Sequence, residues 1–238
     1  MQYINDVTFE VRGDYALFSD PITRVGGEKI SYQIPTYEAI KGVIESVYWK
    51  PTIIWVIDEV RVLNQIKTEA KAIRTLSYTT NKPDLSYYTY LKNVSYQVHA
   101  HFEWNMNRSE LELDRNEGKH FEMAKRMIKK GGRRDVFLGT RECQAYVSPA
   151  NFGEGEGFYD HSGTLSFGLM YHGIIYPDES SEKQNMVINF WNPQMVDGII
   201  KYSKPKDCPF KKIIKRESLK DFREGFNFSL LNEIKEDN

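Results

Sequence analysis

Two helical stripes stand in a chain otherwise written in strand periodicity, and their placement limits the folds open to it. The first stripe is Ile40, Val43, Ile44, Val47 and Tyr48, at i, i+3, i+4, i+7 and i+8. Thr36, after Pro35, is placed to cap its start, and Pro51 ends it. Gly42 lies inside this helix, where a glycine costs about 1 kcal/mol relative to alanine. It predicts close packing against another backbone. The second helix is expected from about Glu117 to Lys130, with Phe121, Ala124, Met127 and Ile128 as its buried stripe. Gly131-Gly132 is its stop signal.

Strand patterns surround these helices. Ile4, Val7, Phe9 and Val11 alternate with polar residues, and Gly13 closes the run. Asp14 to Gln33 is turn-rich, with Asp20-Pro21 and Gly26-Gly27. Strand-like stretches follow from Ile53 to Leu63 and within Thr68 to Thr80, then a turn at Asn81-Lys82-Pro83-Asp84. Further strands are expected at Tyr96 to Trp104 and Cys143 to Val147. The order strand, helix, strands, helix, strand is the ferredoxin-like βαββαβ pattern with an inserted hairpin. From Asn151 the composition changes. Gly153, Gly155, Gly157 and Gly163 mark loops, and strands are expected at Leu165 to Ile175, Met186 to Trp191 and Gly198 to Tyr202. The fold class is therefore α+β, with residues 1–150 as the ferredoxin-like domain and 151–238 as an antiparallel β-rich C-terminal lobe. Lys235 to Asn238 are expected to fray.

The formal net charge is −1, so total charge announces no polyanion partner. Its distribution does. Lys119 to Arg134 holds seven basic residues against one acid, Glu122, and Lys201 to Arg216 holds seven against Asp207. Aromatic residues make up 13% of the chain, which fits strand formers in a β-rich fold before it fits base-stacking surfaces. The two cysteines, Cys143 and Cys208, have neither metal-ligand spacing nor a disulfide framework, which suits a reducing cytoplasm. The N-terminal run MQYINDVTFEVRG is no signal peptide, and the longest wholly apolar stretch, Ile53 to Ile57, is too short to span a bilayer.

The runs FEVRGDYALFSDP, from Phe9, and KISYQIPTYEAIKGVIESVYWKP, ending at Pro51, resemble the N-terminal signature of the Cascade-associated RAMP proteins. In that signature a first strand ends at Gly13, a Phe18 segment follows, and Tyr32-x-x-Pro35-Thr36 opens a helix containing Gly42. GGRRDVFLGTRECQAYV, from Gly131, is similar to the subtype I-C branch of the family. The resemblance implies an RRM/RAMP ferredoxin-like domain with a β-sheet C-terminal lobe. It implies an endoribonuclease that binds the CRISPR repeat hairpin, processes pre-crRNA and retains the crRNA 5′ handle. It also implies assembly with the other subunits of the subtype I-C surveillance complex, with no cofactor and no metal. A non-catalytic subunit that only holds the crRNA handle is the alternative.

The resemblance also singles out Tyr48, Lys119 and His120, which match positions proposed as catalytic in that branch. Metal-free RNA cleavage uses the substrate's 2′-OH as nucleophile. It needs a base near that hydroxyl, a proton donor near the departing 5′-oxygen and positive charge near the phosphate. His120 and Lys119 open the second helix, where unpaired N–H groups suit a phosphate. An unperturbed imidazole titrates nearest neutrality. Tyr48, with a phenol's ordinary value near 10, reads as a hydrogen-bond positioner or proton donor. The three are expected around one solvent-accessible cleft. On the residues alone, Tyr48 on its stripe also reads as core, Lys119 as a solvated lysine and His120 as structural. Lys125, Arg126, Lys129, Lys130, Arg133 and Arg134 are the expected RNA contacts, the last two on a loop free to reach the ligand. His99 and His101 share a strand face with no third ligand nearby, so no metal site is expected. His161 and His172 carry no motif. Asn151 to Gly157 lacks P-loop spacing. Tyr87, Tyr88 and Tyr90 read as strand core.

Overall fold

The computed structural model describes residues 5–21, 23, 27–76, 81–176 and 185–216. In chain order it forms β1 (Asp6–Ala16), β2 (Lys29–Ile30), α1 (Tyr37–Val47), β3 (Ile53–Val62), β4 (Thr68–Leu76), β5 (Pro83–Trp104), α2 (Glu117–Lys130), β6 (Val136–Phe137) and β7 (Gln144–Pro149). Then come β8 (Thr164–Ser166), β9 (Met170–Ile175), β10 (Asn185–Trp191), β11 (Gln194–Val196), β12 (Ile199–Lys201) and β13 (Phe210–Arg216). Short 3-10 helices at Ser109–Asp114 and Pro205–Asp207 precede α2 and β13. The architecture is α+β, a mostly antiparallel sheet with few helices.

β5 organises the main sheet. Its C-terminal half pairs antiparallel with β1 on one edge and β3 on the other, and its N-terminal part pairs with β4 to form a long ribbon. The sheet path is β6-β7-β1-β5-β3-β12-β11-β8, so three strands from beyond residue 151 continue the same sheet past β3. β13, β10 and β9 form a separate antiparallel sheet.

α1 and α2 pack over β1, β3 and β7. Thr36 Oγ1 accepts from Ala39 N at 3.2 Å, which starts α1, and Ile40, Val43, Ile44 and Val47 are buried along its stripe. Asn116 Oδ1 caps α2 by accepting from Lys119 N at 3.0 Å. At the other end Gly131 takes the left-handed conformation at φ 88°, and Gly132 N donates to Met127 O at 2.9 Å. Under the helices lie Phe9 and Val11 of β1 with Val98, Ala100 and Phe102 of β5, one continuous core. Full burial of each such side chain contributes about 1.5–3 kcal/mol. The opposite sheet face is polar. There Arg61, itself buried, reaches Glu154 O, Gly155 O and the Asp160 carboxylate at 2.7–3.2 Å, which fastens the glycine-rich 151–157 loop to the sheet.

Several local expectations need correction. β1 does not stop at Gly13 but runs to Ala16, because β5 is long enough to pair with it as far as Leu91. A Cβ on Gly42 would meet nothing within 4 Å among the described residues, so among them this glycine marks no close backbone approach. The 96–104 stretch is the end of a 22-residue strand that starts at Pro83, inside the expected turn. The 165–175 stretch divides into β8 and β9, which belong to different sheets. Tyr90 is core, whereas Tyr87 is exposed on the ribbon. Ile4, Gly26, part of the 68–80 stretch and Lys235 to Asn238 lie outside the described residues. Among the described residues no helix is long and apolar enough to cross a membrane.

Candidate active site

The C-terminal end of α1 meets the N-terminal end of α2, and this junction gathers all three candidate catalytic side chains. Tyr48 is the C-cap of α1 rather than a residue of its last turn; its φ of −153° turns the chain out of the helix. The buried Trp55 of β3 donates its indole N–H to Tyr48 O at 2.7 Å and fixes that turn. The phenol then points across the junction, where Tyr48 Oη lies 2.7 Å from His120 Nδ1 and 3.7 Å from Met123 Sδ.

His120 Nε2 lies 2.8 Å from the Asp114 backbone carbonyl and 3.5 Å from Asp114 Oδ2. A carbonyl oxygen only accepts, so Nε2 carries a proton. In the neutral ring Nδ1 is then the acceptor of the Tyr48 O–H. The rings of Tyr48, Phe102 and Trp104 surround the imidazole at centroid distances of 5.6–6.1 Å. His120 is 0% exposed and Tyr48 2%, so the expected solvent-accessible cleft is absent from this conformation at these two residues. The three aromatic rings enclose the imidazole, and Asp114, at the end of the Ser109–Asp114 segment, stands against its Nε2.

Lys119 is exposed and joins the cluster through Asp114, donating from Nζ to Oδ1 at 2.5 Å. Thr52 Oγ1 donates to Asp114 Oδ2 at 2.7 Å. Hydrogen bonds from the Lys119 ammonium and the Thr52 hydroxyl hold the Asp114 carboxyl down to about 2. Burial pushes the Tyr48 phenol up to about 12; the Asp114 carboxylate adds to the rise and the Arg133 guanidinium opposes it. At neutral pH Tyr48 is therefore a proton donor, not a base.

Asp114 is the residue that the sequence analysis missed. The signal was an acid just upstream of a capped helix start, in DRNEGKH, but nothing in one sequence tells which oxygens an acid there will face.

The six expected RNA contacts divide by position. Arg133 N and Arg134 N donate to Val47 O and Ser46 O, both at 3.2 Å. The loop backbone is thus pinned to the end of α1 rather than free, and it satisfies carbonyls that a helix end leaves open. Both side chains stay exposed, and the Arg133 guanidinium lies near enough to act on Tyr48. Lys125, Arg126, Lys129 and Lys130 line the outer face of α2, all exposed. Among the described residues none of the six forms an ion pair. The second basic stretch is different: Lys201 pairs with Glu59 at 3.3 Å and Lys204 with Glu103 at 3.1 Å.

The remaining histidines stand apart from this junction. His101 Nδ1 lies 2.7 Å from Asp58 Oδ2, and that hydrogen bond, against some burial, raises its pKa. His99 faces Asp6 at 3.5 Å. Among the described residues no three His, Cys, Asp or Glu side chains gather as a metal-ligand set.

Known proteins share this chain's sequence and shape. A CRISPR pre-crRNA endoribonuclease Cas5d from Mannheimia succiniciproducens is 32% identical over 168 residues, covering 60% of this chain and 72% of that protein. A protein of the same description from Thermus thermophilus is 30% identical over 153 residues, covering 59% of this chain and 62% of that protein. The crystal structure of a CRISPR-associated protein, 33% identical, superposes with a TM-score of 0.74 and covers 87% of this chain and 96% of its own. That of a functionally uncharacterized protein from Streptococcus mutans, 37% identical, gives 0.73 with the same coverage. The pattern of the CRISPR-associated protein (Cas_Cas5) family matches residues 6–202, nearly the whole described chain, and the chain belongs to that family.

Proposed function

We propose that this chain is a metal-independent endoribonuclease that binds the CRISPR repeat hairpin and cuts pre-crRNA by 2′-OH attack. It keeps the crRNA 5′ handle and enters the subtype I-C surveillance complex in the cytoplasm. Two relatives named for pre-crRNA cleavage support the substrate. The observation that carries the chemistry is the connected set Tyr48–His120–Asp114–Lys119 at the end of a cationic helix face.

In the proposed reaction the Tyr48 hydroxyl turns away from His120 Nδ1, the substrate's 2′-OH loses its proton to that freed nitrogen, and the 2′-oxygen bonds to phosphorus. The P–O5′ bond breaks and the 5′-oxygen takes the Tyr48 phenol proton, leaving a 2′,3′-cyclic phosphate and a 5′-hydroxyl, and the His120 imidazolium returns its proton to the phenolate. Tyr48, protonated at neutral pH, hydrogen-bonds to the base before the reaction and supplies the donor side of the pair. Lys119 exchanges the Asp114 carboxylate for a phosphate oxygen and stabilises the charge that develops there. Because His120 is covered, the Ser109–Asp114 segment has to move aside first. No residue of that segment is buried and Leu113 is fully exposed, so little apolar contact holds it down.

The reading carries a fold and a domain division with it. The fold is a ferredoxin-like RRM/RAMP domain over residues 1–150, with 151–238 as the β-rich lobe, and the β7-β1-β5-β3 order under α1 and α2 supports it.

The alternative, a non-catalytic handle-binding subunit, is favoured by one observation: His120 is buried with both ring nitrogens bonded. One assay separates the two. Repeat RNA incubated with the protein in EDTA should be cut, and a 2′-deoxy nucleotide just before the cut should abolish cleavage while binding persists. His120→Ala should reduce the rate roughly 10²–10⁴-fold. Intact RNA after prolonged incubation, with binding retained, would establish the handle-binding role instead. Cleavage of the deoxy RNA at the same bond would sink the 2′-OH mechanism.

A further inference from the structure

A groove of about 670 Å³ runs along α2 on the flank turned away from Tyr48. Met123 of α2 touches the Tyr48 hydroxyl, whereas Phe121, two residues earlier, lines the groove. β7 ends at Pro149, opposite Phe9, so Asp6, Val7 and Thr8 of β1 have a strand partner only on their β5 side and form part of the opposite wall. Phe121, Ile128 and Pro149 give an apolar lining, and Lys125, Arg126 and Lys129 stand along the helix side.

We infer that this groove is a nucleotide subsite that holds an unpaired base of the repeat RNA beside its hairpin. The inference rests on the RNA-binding reading above and adds a location and a ligand to it. Three observations select a nucleotide. Phe121 offers a half-buried aromatic ring with the Lys125 ammonium over it, 5.1 Å from its centroid, so a base that stacks on that ring displaces the ammonium, which stays within reach of the base's phosphate. Lys125 and Lys129 stand one helical turn apart, about 6 Å, and neither is neutralised by an ion pair among the described residues. Asp6 Oδ2 faces His99 and Glu154 Oε2 accepts from Asn151 Nδ2, which leaves the second oxygen of each carboxylate to accept from the exocyclic amine of a cytosine or an adenine. The sequence order ties the subsite to the chemistry, because Lys119, His120 and Phe121 are consecutive. RNA crossing the start of α2 meets the phosphate-facing lysine and the stacking ring within one helical turn.

The test is a fluorescence titration of repeat RNA made uncleavable by one 2′-deoxy substitution. Single abasic nucleotides are placed in turn through the segments flanking the hairpin. For the unaltered chain, one abasic position should weaken binding roughly 5–100-fold, the value of one base–aromatic stack. Ala150→Trp fills the groove from its wall without touching the Tyr48–His120 cluster, and Phe121→Leu removes the ring while keeping an apolar side chain. Each variant, checked for unaltered thermal unfolding, should bind intact RNA more weakly by that same factor and lose nothing further at the abasic position. An equal abasic cost in the unaltered chain and both variants overturns the subsite. So does tight hairpin binding that ignores every abasic position, while leaving the RNA-binding function in place. Absence of any RNA binding by the unaltered chain overturns the function and the subsite together.

Discussion

Tyr48 and His120 share a 2.7 Å hydrogen bond whose direction is set at the far side of the imidazole, where Nε2 must donate to the Asp114 carbonyl. The phenol therefore donates to the neutral ring, and burial holds it protonated up to about 12. Tyr48→Phe keeps the ring in the core and removes only this donor. His120 Nδ1 is then a buried acceptor without a partner, which costs about 1–3 kcal/mol. The expected outcome is a free energy of unfolding in urea lower by that amount, cleavage slowed roughly 10²-fold, and RNA affinity unchanged. Single-turnover rates beside a binding titration check it; unchanged cleavage would remove Tyr48 from the reaction.

Asp114 binds the same ammonium that a phosphate would need. Asp114→Asn keeps the backbone carbonyl under His120 but removes the charge that holds Lys119. A partly exposed pair of this kind is worth about 0.2–1 kcal/mol, so stability should fall by no more than that. Affinity for uncleavable repeat RNA should rise about 2–5-fold, because no carboxylate then competes for Lys119. The pH dependence follows from the depressed carboxyl. Its contribution to stability is complete above the unfolded value near 3.9 and disappears as pH falls through about 2. The acid limb of the unfolding curve should therefore be shallower in Asp114→Asn than in the unaltered chain. Weaker RNA binding by the variant would mean that Asp114 aids the site rather than blocks it.

Both helices were legible in the sequence because their information is local. Thr36 and Asn116 cap them, stripes at helical spacing bury them, and Gly131 ends the second in the conformation that a glycine adopts most readily. That Tyr48, Lys119 and His120 meet followed from the family resemblance and from two helices packed antiparallel on one sheet face, since no spacing rule by itself brings the end of one helix to the start of another. Asp114 was illegible for the same reason: its partners Thr52 and His120 are supplied by a different strand and a different helix. The length of β5 was hidden because its first half forms a ribbon with β4. Exposure there alternates with no core to sharpen it, and Pro83-Asp84 reads as a turn. Gly42 misled because a mid-helix glycine is explained by packing only when a neighbour is present, and among the described residues none is.

The two basic stretches, alike in composition, should behave differently toward RNA. Lys129, Lys130, Arg133 and Arg134 have no ion-pair partner among the described residues, whereas Lys201 and Lys204 are held by Glu59 and Glu103. Reversing the charge of the first four should weaken binding uniformly across RNA sequences. It should also flatten the dependence of log affinity on log salt by about 0.7 for each phosphate that is no longer neutralised. Lys201→Ala with Lys204→Ala should leave the slope within error. Titrations at several salt concentrations test the difference. Equal slopes for all three proteins would reduce the α2 face to a solvated surface.

His172 predicts a separate acid sensitivity, away from the proposed chemistry. It is fully buried, stacks on Tyr37 at 4.3 Å between ring centroids, and is flanked by Trp191 and Tyr202. Its Nε2 lies 2.8 Å from Ser203 O and so donates there, while Nδ1 has no hydrogen-bond partner among the described residues. Burial pulls the imidazole down to about 4, only partly offset by that carbonyl. The unfolded chain, with an ordinary value near 6.5, takes up this proton first. Between about 6.5 and 4 the unfolded state therefore binds more protons than the folded one, and stability falls as pH is lowered through this window. The slope from this one residue approaches about 1.4 kcal/mol per pH unit. His172→Phe retains the stack, loses the hydrogen bond to Ser203 and cannot titrate. It should be less stable than the unaltered chain at pH 7.5, with the difference narrowing steadily toward pH 4. Denaturant midpoints at half-unit intervals measure this directly, and parallel curves for the two proteins across that window would show that His172 takes up no proton on unfolding.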